Sequence, residues 1–135
     1  MILKPGTMCG QYTIVQEIAH GGMGVVYEAH NSQGEKRAIK MLKAVRLKND
    51  IVERFEREIQ VLSYLDSAHV VRFYEAGVHD SGSLWVALEY LAGRTLSEIN
   101  KEHGGRLNIE RVIRWGRQIA QGVHEAHKLS VIHRD

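Results

Sequence analysis

The residues of this chain with the clearest chemical potential are three glycines followed by a lysine. Gly21, Gly22 and Gly24 lack a Cβ atom, so the backbone around them can approach phosphate oxygens and donate N–H hydrogen bonds. Lys40 follows in the apolar stretch 38–42, where burying an ammonium is costly unless an anion meets it. These residue types predict a site for a phosphate-bearing ligand. A plain hairpin turn would explain the glycines alone.

Two other uses of a glycine-rich loop are disfavoured by what surrounds it. A dinucleotide-binding fingerprint needs a strand before the glycines and a helix after them. Here the glycines are followed by Val25-Val26-Tyr27, which favours a strand. A Gly-Lys-Ser/Thr P-loop does not occur in the sequence.

An acidic partner for Lys40 is predicted on a helix that begins near Asp50. Glu53 completes a capping pair with Asp50, and one apolar face recurs at helical spacing: Ile51, Phe55, Ile59, Leu62 and Leu65. Glu58 borders that face, whereas Glu56 is out of register with it, so Glu58 is the better candidate. The alternative is a Lys40 that reaches solvent and a solvated Glu58.

The elements that would position these residues form an α+β pattern. Strands are predicted at 12–18, 25–29, 37–42, 70–75 and 84–91. Thr95 and Glu98 fit a capping box that opens a short helix, and Asn108 can cap a longer one that runs to about His127. The apolar residues of the longer helix are predicted to face inward: Val112, Ile113, Ile119, Ala120 and Val123. The layout indicates two unequal parts, residues 1–91 and 92–135.

Taken in order, these motifs resemble those of a protein kinase catalytic domain. The segment 18–26 is similar to Gly-x-Gly-x-x-Gly-x-Val, with Ala19 in place of the first glycine. Ala38-Ile39-Lys40 resembles Val-Ala-Ile-Lys, and His133-Arg134-Asp135 resembles the start of the catalytic loop. The resemblance is to bacterial eukaryotic-like Ser/Thr kinases. It implies an N-terminal lobe with a five-stranded antiparallel sheet and one helix, then the first helices of a C-terminal lobe.

The resemblance implies an ATP site. Leu88 would be the gatekeeper, the backbone of Glu89 and Leu91 would bond the adenine edge, Val26 and Ala38 would cover its face, and Thr95 would lie near the ribose. An ordinary buried strand would explain the apolar segment 85–93 equally well. The full set implied for ATP is Ile18, Ala19, His20, Gly21, Gly22, Met23, Gly24, Val26, Ala38, Lys40, Glu89, Leu91 and Thr95.

The resemblance also implies catalytic roles for Lys40, Glu58 and Asp135. Lys40 would hold the α- and β-phosphates while paired with Glu58, and Asp135 would orient the substrate hydroxyl and accept its proton. The family's Mg²⁺ ligands fall beyond residue 135. A polypeptide of these 135 residues is therefore expected to lack phosphotransferase activity alone. The motifs present do not decide between Ser/Thr and Tyr substrates.

Two functions of other classes stay open beside an ATP-dependent protein Ser/Thr kinase. One is a nucleotide-binding or regulatory pseudokinase, which Ala19 slightly supports and the presence of Lys40, Glu58 and Asp135 argues against. The other is an interaction module that binds no nucleotide. The partners expected are a protein substrate and ATP. Self-association through the apolar face of the 108–127 helix is expected as well.

Composition limits the remaining classes. Eighteen basic and 16 acidic residues are interspersed, with a net charge of +2, so no nucleic-acid partner is expected. The single Cys9 excludes an internal disulfide, and no histidine spacing indicates a metal site. The sequence has no apolar run of about 20 residues and no signal-peptide pattern. A cytoplasmic location is expected, and a membrane anchor further along a longer parent chain stays open.

Overall fold

The computed structural model describes residues 3–21, 24–42, 59–60 and 62–131. Contacts divide the chain into two units. The sheet unit comprises Met1–Tyr64 and Val71–Tyr90, and the helical unit comprises Leu65–Val70 and Leu91–Asp135. The division at residue 90 lies one residue before the predicted limit. Assignment of Leu65–Val70 to the helical unit was not foreseen.

The sheet unit is built on one antiparallel sheet in the order β1-β2-β3-β4-β6-β5. Its strands are β1 (Met8–Cys9), β2 (Tyr12–Gly21), β3 (Gly24–His30), β4 (Lys36–Leu42), β5 (Phe73–Val78) and β6 (Leu84–Glu89). The five predicted strands are all present, and the two-residue β1 is an addition. β5 begins three residues later than predicted because the Val70 N–H bonds the Ser67 carbonyl in a turn, at 3.2 Å.

One face of this sheet carries the hydrophobic core. Alternate residues of each strand point to the same side, and on β3 these are the buried Val25, Tyr27 and Ala29. The N-terminal segment also joins the core, since the Leu3 N–H donates to the buried Tyr27 hydroxyl at 3.0 Å. The core cluster is Leu3, Cys9, Tyr12, Ile14, Val25, Tyr27, Ala29, Ile39, Met41, Trp85 and Ala87.

Trp85 fills the space between two glycines. A Cβ on Gly10 or on Gly77 would lie 2.7 or 2.8 Å from its indole carbons, so neither position has room for a side chain. The Tyr12 ring meets the indole edge-on, with centroids 5.9 Å apart and planes at 77°, a preferred aromatic geometry. The β5–β6 pair is thereby packed against the start of the chain.

The opposite side of the strands holds the residues between the core positions. We call it the Lys40 face. Cross-strand register places Ala19 beside Val26, Val26 beside Lys40, and Lys40 beside Val86. One row further along, Glu28 lies beside Ala38, and Ala38 beside Leu88. The face therefore consists of Ala19, Val26, Glu28, Lys36, Ala38, Lys40, Val86 and Leu88.

The helical unit contains α1 (Leu96–Glu102) and α2 (Ile109–Lys128). Both predicted caps are confirmed. Thr95 and Glu98 form a capping box, and the Asn108 side chain accepts the N–H of Glu110. Because each cap satisfies backbone donors that the first turn leaves open, these residues fix where the helices begin.

The prediction of which side of α2 faces inward is wrong for the described residues. Gly122 is the buried residue of α2, and a Cβ there would lie 2.6 Å from the His69 carbonyl oxygen. The side chains predicted to point inward are all exposed: Val112, Ile113, Ile119, Ala120 and Val123. Periodicity identified an apolar stripe correctly, but burial also needs an element packed against it.

Beside Gly122, the helical unit has an open groove of about 420 Å³. It is lined by Ala68, His69, Arg94, Leu96, Ile99, Trp115, Gln118 and Ile119. Of the helix predicted over 50–65, residues 59, 60 and 62 are helical. Residues 63–65 are not helical, so the predicted end is too late, and the remaining residues lie outside the described ones. Within the described part of the chain, no helix is long and apolar enough to cross a membrane.

Candidate functional site

The β2–β3 hairpin carries the glycine motif, and its two described glycines have different surroundings. Gly21 pairs with Gly24 where the strands meet. A Cβ on Gly21 would have no atom within 4 Å, whereas one on Gly24 would lie 2.0 Å from the Met41 carbonyl oxygen. Gly24 also has a φ of +154°, which favours glycine. Gly24 thus lets β4 approach, and Gly21 leaves open backbone for a ligand.

The residues before the glycines are arranged by a β-bulge. Register shifts between Glu17 and Ala19, which leaves Ile18 as an extra residue on β2. A bulge re-aims side chains locally and is common beside functional sites. Ala19 then lies on the Lys40 face opposite Val26, while His20 pairs with Val25 and its ring lies 3.5 Å from the Glu17 carboxylate. Gly22 and Met23 lie outside the described residues.

Lys40 occupies the central strand of the sheet. It is half-buried and lies between Val26 on β3 and Val86 on β6. Ala38 precedes it by two residues on the same face. An apolar surface that ends at one ammonium is suited to a ligand with a flat apolar ring and an anionic end. Glu58, the predicted partner of Lys40, and its competitor Glu56 lie outside the described residues, so this pairing stays a prediction.

The end of β6 is the segment predicted to meet adenine. Leu88 lies on the Lys40 face beside Ala38. The N–H of the next residue, Glu89, already donates to the Arg72 carbonyl at 2.8 Å. Its Oε2 accepts the Arg72 N–H at 3.3 Å. The adenine contact predicted for the Glu89 backbone therefore falls to its carbonyl oxygen, which suits an amino group.

Two of the residues predicted for ATP belong to the helical unit. Leu91 is 67% exposed. Thr95 uses its hydroxyl in the capping box, where it donates to Glu98 Oε2 at 2.8 Å and accepts the Glu98 N–H at 3.2 Å. The Thr95 N–H also donates to this Oε2, at 2.6 Å, and this bond, followed by the hydroxyl bond, holds the pKa of the Glu98 carboxyl below its ordinary value. A contact between Thr95 and a ribose stays a prediction. The catalytic-loop residues His133, Arg134 and Asp135 lie outside the described residues.

The sequence did not reveal a polar network at the end of the Lys40 face where Ala38 and Leu88 lie. Glu28 is the buried charged residue of the described ranges, at 4% exposure. Its carboxylate accepts from Gln16 Nε2 at 2.9 Å and lies 2.7 Å from Lys36 Nζ. The hydrogen bond from Lys36, and next that from Gln16, lowers the pKa of Glu28. The available signal was an acid in the middle of the otherwise apolar strand 25–29.

The described residues fit the adenine and phosphate parts of ATP. Val26, Ala38 and Leu88 form apolar surface, Gly21 offers open backbone, and Lys40 supplies a cation on the same face. For a metal ion the fit is poor. In the parts of the chain that the structure describes, no three His, Cys, Asp or Glu side chains come together as a metal site. The expectation that Mg²⁺ ligands lie beyond residue 135 stays a prediction.

Comparison with known proteins decides the family. The family model described as "Protein kinase domain" matches residues 12–135, nearly the whole chain. The chain belongs to the protein kinase domain family. The glycine hairpin, Lys40 and the segment 85–93 all lie within the matched residues. The strand that follows the glycines, β3, is also what separates the chain from dinucleotide-binding folds.

Curated kinases of bacteria and animals are similar to the chain. A probable serine/threonine-protein kinase of Clostridium acetobutylicum is 32% identical over 95% of the chain and 20% of the relative. The probable serine/threonine-protein kinase zyg-1 of Caenorhabditis elegans is 38% identical, with 98% of the chain and 18% of the relative covered. The serine/threonine-protein kinase pkn3 of Myxococcus xanthus is 33% identical, over 96% and 24%. The chain spans about a fifth of the length of these relatives.

A solved structure shows the same fold. The crystal structure of the PknI kinase domain of Mycobacterium tuberculosis matches with a TM-score of 0.87 at 26% identity. The match covers 99% of the chain and 54% of that domain. The kinase fold predicted from the motifs is confirmed, with a sheet unit that corresponds to the N-terminal lobe and with the first helices of the C-terminal lobe.

Proposed function

We propose that this chain forms the nucleotide-binding part of an ATP-dependent protein serine/threonine kinase. The observation that carries the proposal is the placement of Lys40 on one sheet face with Ala19, Val26 and Ala38, next to the hairpin that holds Gly21 and Gly24. The names of the relatives support Ser/Thr specificity, which the motifs alone leave undecided. The protein substrate would be bound by parts of a kinase that lie outside these residues.

In this proposal, different residues of the chain bind the adenine, bind the phosphates and orient the substrate. Val26 and Ala38 exclude water from the adenine face, and the Glu89 carbonyl accepts its amino group. The open backbone at Gly21 and the Lys40 ammonium neutralise phosphate charge, with Glu58 holding Lys40 in place. Asp135 orients the substrate hydroxyl and takes its proton. When bound, Mg-ATP supplies the phosphoryl group and the metal charge that neutralises it.

The test is nucleotide binding by the 135-residue polypeptide. We expect Mg-ATP to raise its thermal unfolding temperature, because a ligand that binds only the folded state stabilises it. Lys40→Met removes charge-assisted hydrogen bonds worth about 1.5–3 kcal/mol, so the Kd for Mg-ATP should rise at least about tenfold. Lys128→Met is the matched control, since it removes a lysine that pairs with Glu125 on α2 instead.

The outcomes separate a nucleotide-binding protein from an interaction module. A thermal shift that is lost in Lys40→Met and kept in Lys128→Met supports the proposed kinase function. Absence of any shift in the unmodified chain overturns it in favour of an interaction module. Binding that is indifferent to Lys40 would also overturn the proposed site. A pseudokinase would bind Mg-ATP in the same way, and transfer of phosphate by the parent protein would then decide between the two.

A further inference from the structure

We propose that the Glu28–Lys36 ion pair is a positioning device for the adenine end of the site. Lys36 links β3 to Tyr90, the residue that follows the Glu89 carbonyl, and so fixes the backbone that adenine would meet. Neither side chain is proposed to touch the nucleotide. The inference rests on the proposed nucleotide-binding function and assigns these residues a part in it.

Glu28 is a buried acid with two polar partners. Its side chain is 6% exposed, and a buried carboxylate is costly unless it is paired and hydrogen-bonded. Here both oxygens have partners, since Oε1 faces Lys36 Nζ at 2.7 Å and Oε2 accepts from Gln16 Nε2 at 2.9 Å. His30 Nε2 lies further off, at 3.9 Å. With both oxygens engaged, Glu28 is a fixed anchor.

Lys36 is placed to reach both this carboxylate and an aromatic ring. It lies on β4 diagonally from Glu28, two residues before Ala38, so its ammonium reaches the carboxylate along the Lys40 face. The same Nζ lies 5.1 Å from the centroid of the Tyr90 ring. That distance is within the range of a cation–π contact. One ammonium therefore holds a carboxylate on β3 and an aromatic ring beyond the end of β6.

The end of β6 is also held from its other side. The Glu89 N–H and carboxylate are bonded to the backbone of Arg72, which precedes β5. Residue 89 is thus held by Arg72 from one side, and residue 90 is held by Lys36 from the other. Backbone fixed before a ligand arrives loses little conformational freedom on binding, and this favours affinity.

The ion-pair network lies next to the surface predicted to cover adenine. Glu28 is the cross-strand neighbour of Ala38, and Ala38 is the neighbour of Leu88. The ion pair therefore adjoins the apolar surface expected to cover adenine and lies away from Lys40, which is expected to meet phosphate. Its loss should affect recognition of the base and leave phosphate binding intact.

The experiment compares two ligands on the 135-residue polypeptide. Dissociation constants are measured for Mg-ATP and for Mg-tripolyphosphate, which has the phosphates without the base. In Lys36→Met we expect the Kd for Mg-ATP to rise about threefold to tenfold, with the Kd for Mg-tripolyphosphate unchanged. Lys36→Arg, which keeps the charge and the aromatic contact, should restore the Kd for Mg-ATP. Lys128→Met, an equal change on α2, should alter neither constant.

A double-mutant cycle tests the link to Glu28. If Glu28 acts through Lys36, then Glu28→Gln combined with Lys36→Met should weaken Mg-ATP binding no more than Lys36→Met alone. Equal losses for both ligands would overturn the inference, because a general loss of structure weakens both. Unchanged binding of Mg-ATP in Lys36→Met would overturn it as well. Failure of the unmodified chain to bind Mg-ATP would instead contradict the proposed function, and this inference would then fail as well.

Discussion

At the scale of single residues, Gly21 and Gly24 close the same hairpin under different constraints. A side chain on Gly24 would overlap the Met41 carbonyl of the neighbouring strand, while a side chain on Gly21 would point into open space. Both belong to the motif that indicates phosphate binding, yet only Gly21 has backbone left open for that purpose. The motif therefore contains one residue required by folding and another available to a ligand.

Gly24→Ala is expected to destabilise the chain by more than about 2 kcal/mol, because the new Cβ forces a shift of backbone at an unfavourable φ. Gly21→Ala should change the free energy of unfolding by less than about 1 kcal/mol and should weaken Mg-ATP binding. Urea denaturation and isothermal titration calorimetry measure the two effects. Equal destabilisation by both substitutions would contradict this division of roles.

Alternation along one strand predicts which residues share a face, whereas the roles predicted for the site residues stay predictions. Lys40 was predicted from an apolar strand after a glycine loop, and the structure places it on the face where Val26 and Ala38 also lie. Glu28 was missed because its partners Gln16 and Lys36 come from neighbouring strands. Which strands pair, and in which register, is a tertiary property that a pattern along one strand does not carry.

At the scale of elements, caps were more informative than apolar patterns. Thr95 and Asn108 each satisfy backbone N–H groups locally, so the sequence alone located the starts of α1 and α2. The predicted start of β5 was too early. Val70 is of a residue type that favours strands, but it lies in the turn at Ser67–Val70. The buried side of α2 was misjudged for a similar reason. Which side of a helix is buried depends on the element that packs against it. On α2 the backbone of His69 packs at Gly122.

The exposed apolar stripe of α2 leads to a prediction about association. Ile109, Val112, Ile113, Ile119 and Val123 are between 41% and 73% exposed and follow helical spacing. Contiguous apolar surface of this kind promotes association. The 135-residue polypeptide is expected to self-associate at micromolar concentration in sedimentation velocity, and Ile113→Glu should shift it toward monomer. A single monomer peak for the unmodified chain across that range would disprove the expectation.

At the scale of the whole molecule, Glu28 should contribute to acid sensitivity. Lys36 and Gln16 hold its pKa below the ordinary value of 4.5, so the folded state binds its proton less readily than the unfolded state does. The resulting stabilisation is complete above about pH 4.5 and is lost as the pH falls through the lowered pKa. Glu28→Gln should flatten the dependence of the unfolding free energy on pH below 4.5.

Lys36→Met should flatten the same curve, since it removes the largest cause of the shift. Urea denaturation at a series of acidic pH values measures both. Identical slopes for the unmodified chain and Glu28→Gln would show that the ion pair does not distinguish the folded from the unfolded state.

A polypeptide of residues 1–135 is expected to bind Mg-ATP and yet transfer no phosphate. In the family, the residues that hold Mg²⁺ follow the catalytic aspartate, and transfer depends on their charge neutralisation. Incubation with γ-labelled ATP and a generic protein substrate should give no labelling above that of Asp135→Asn. Metal-dependent labelling that Asp135→Asn abolishes would refute this.

The packing of Trp85 between Gly10 and Gly77 gives the sheet unit an optical reporter of its own. The chain has two tryptophans, and the other, Trp115, lies in the helical unit. An indole 3% exposed to water should emit at short wavelength and move to the red when its surroundings open. Trp115→Phe therefore leaves a fluorophore that reports only on the sheet, and Trp85→Phe leaves one that reports only on the helices. Comparing their denaturation midpoints would show whether the two units melt together or in sequence.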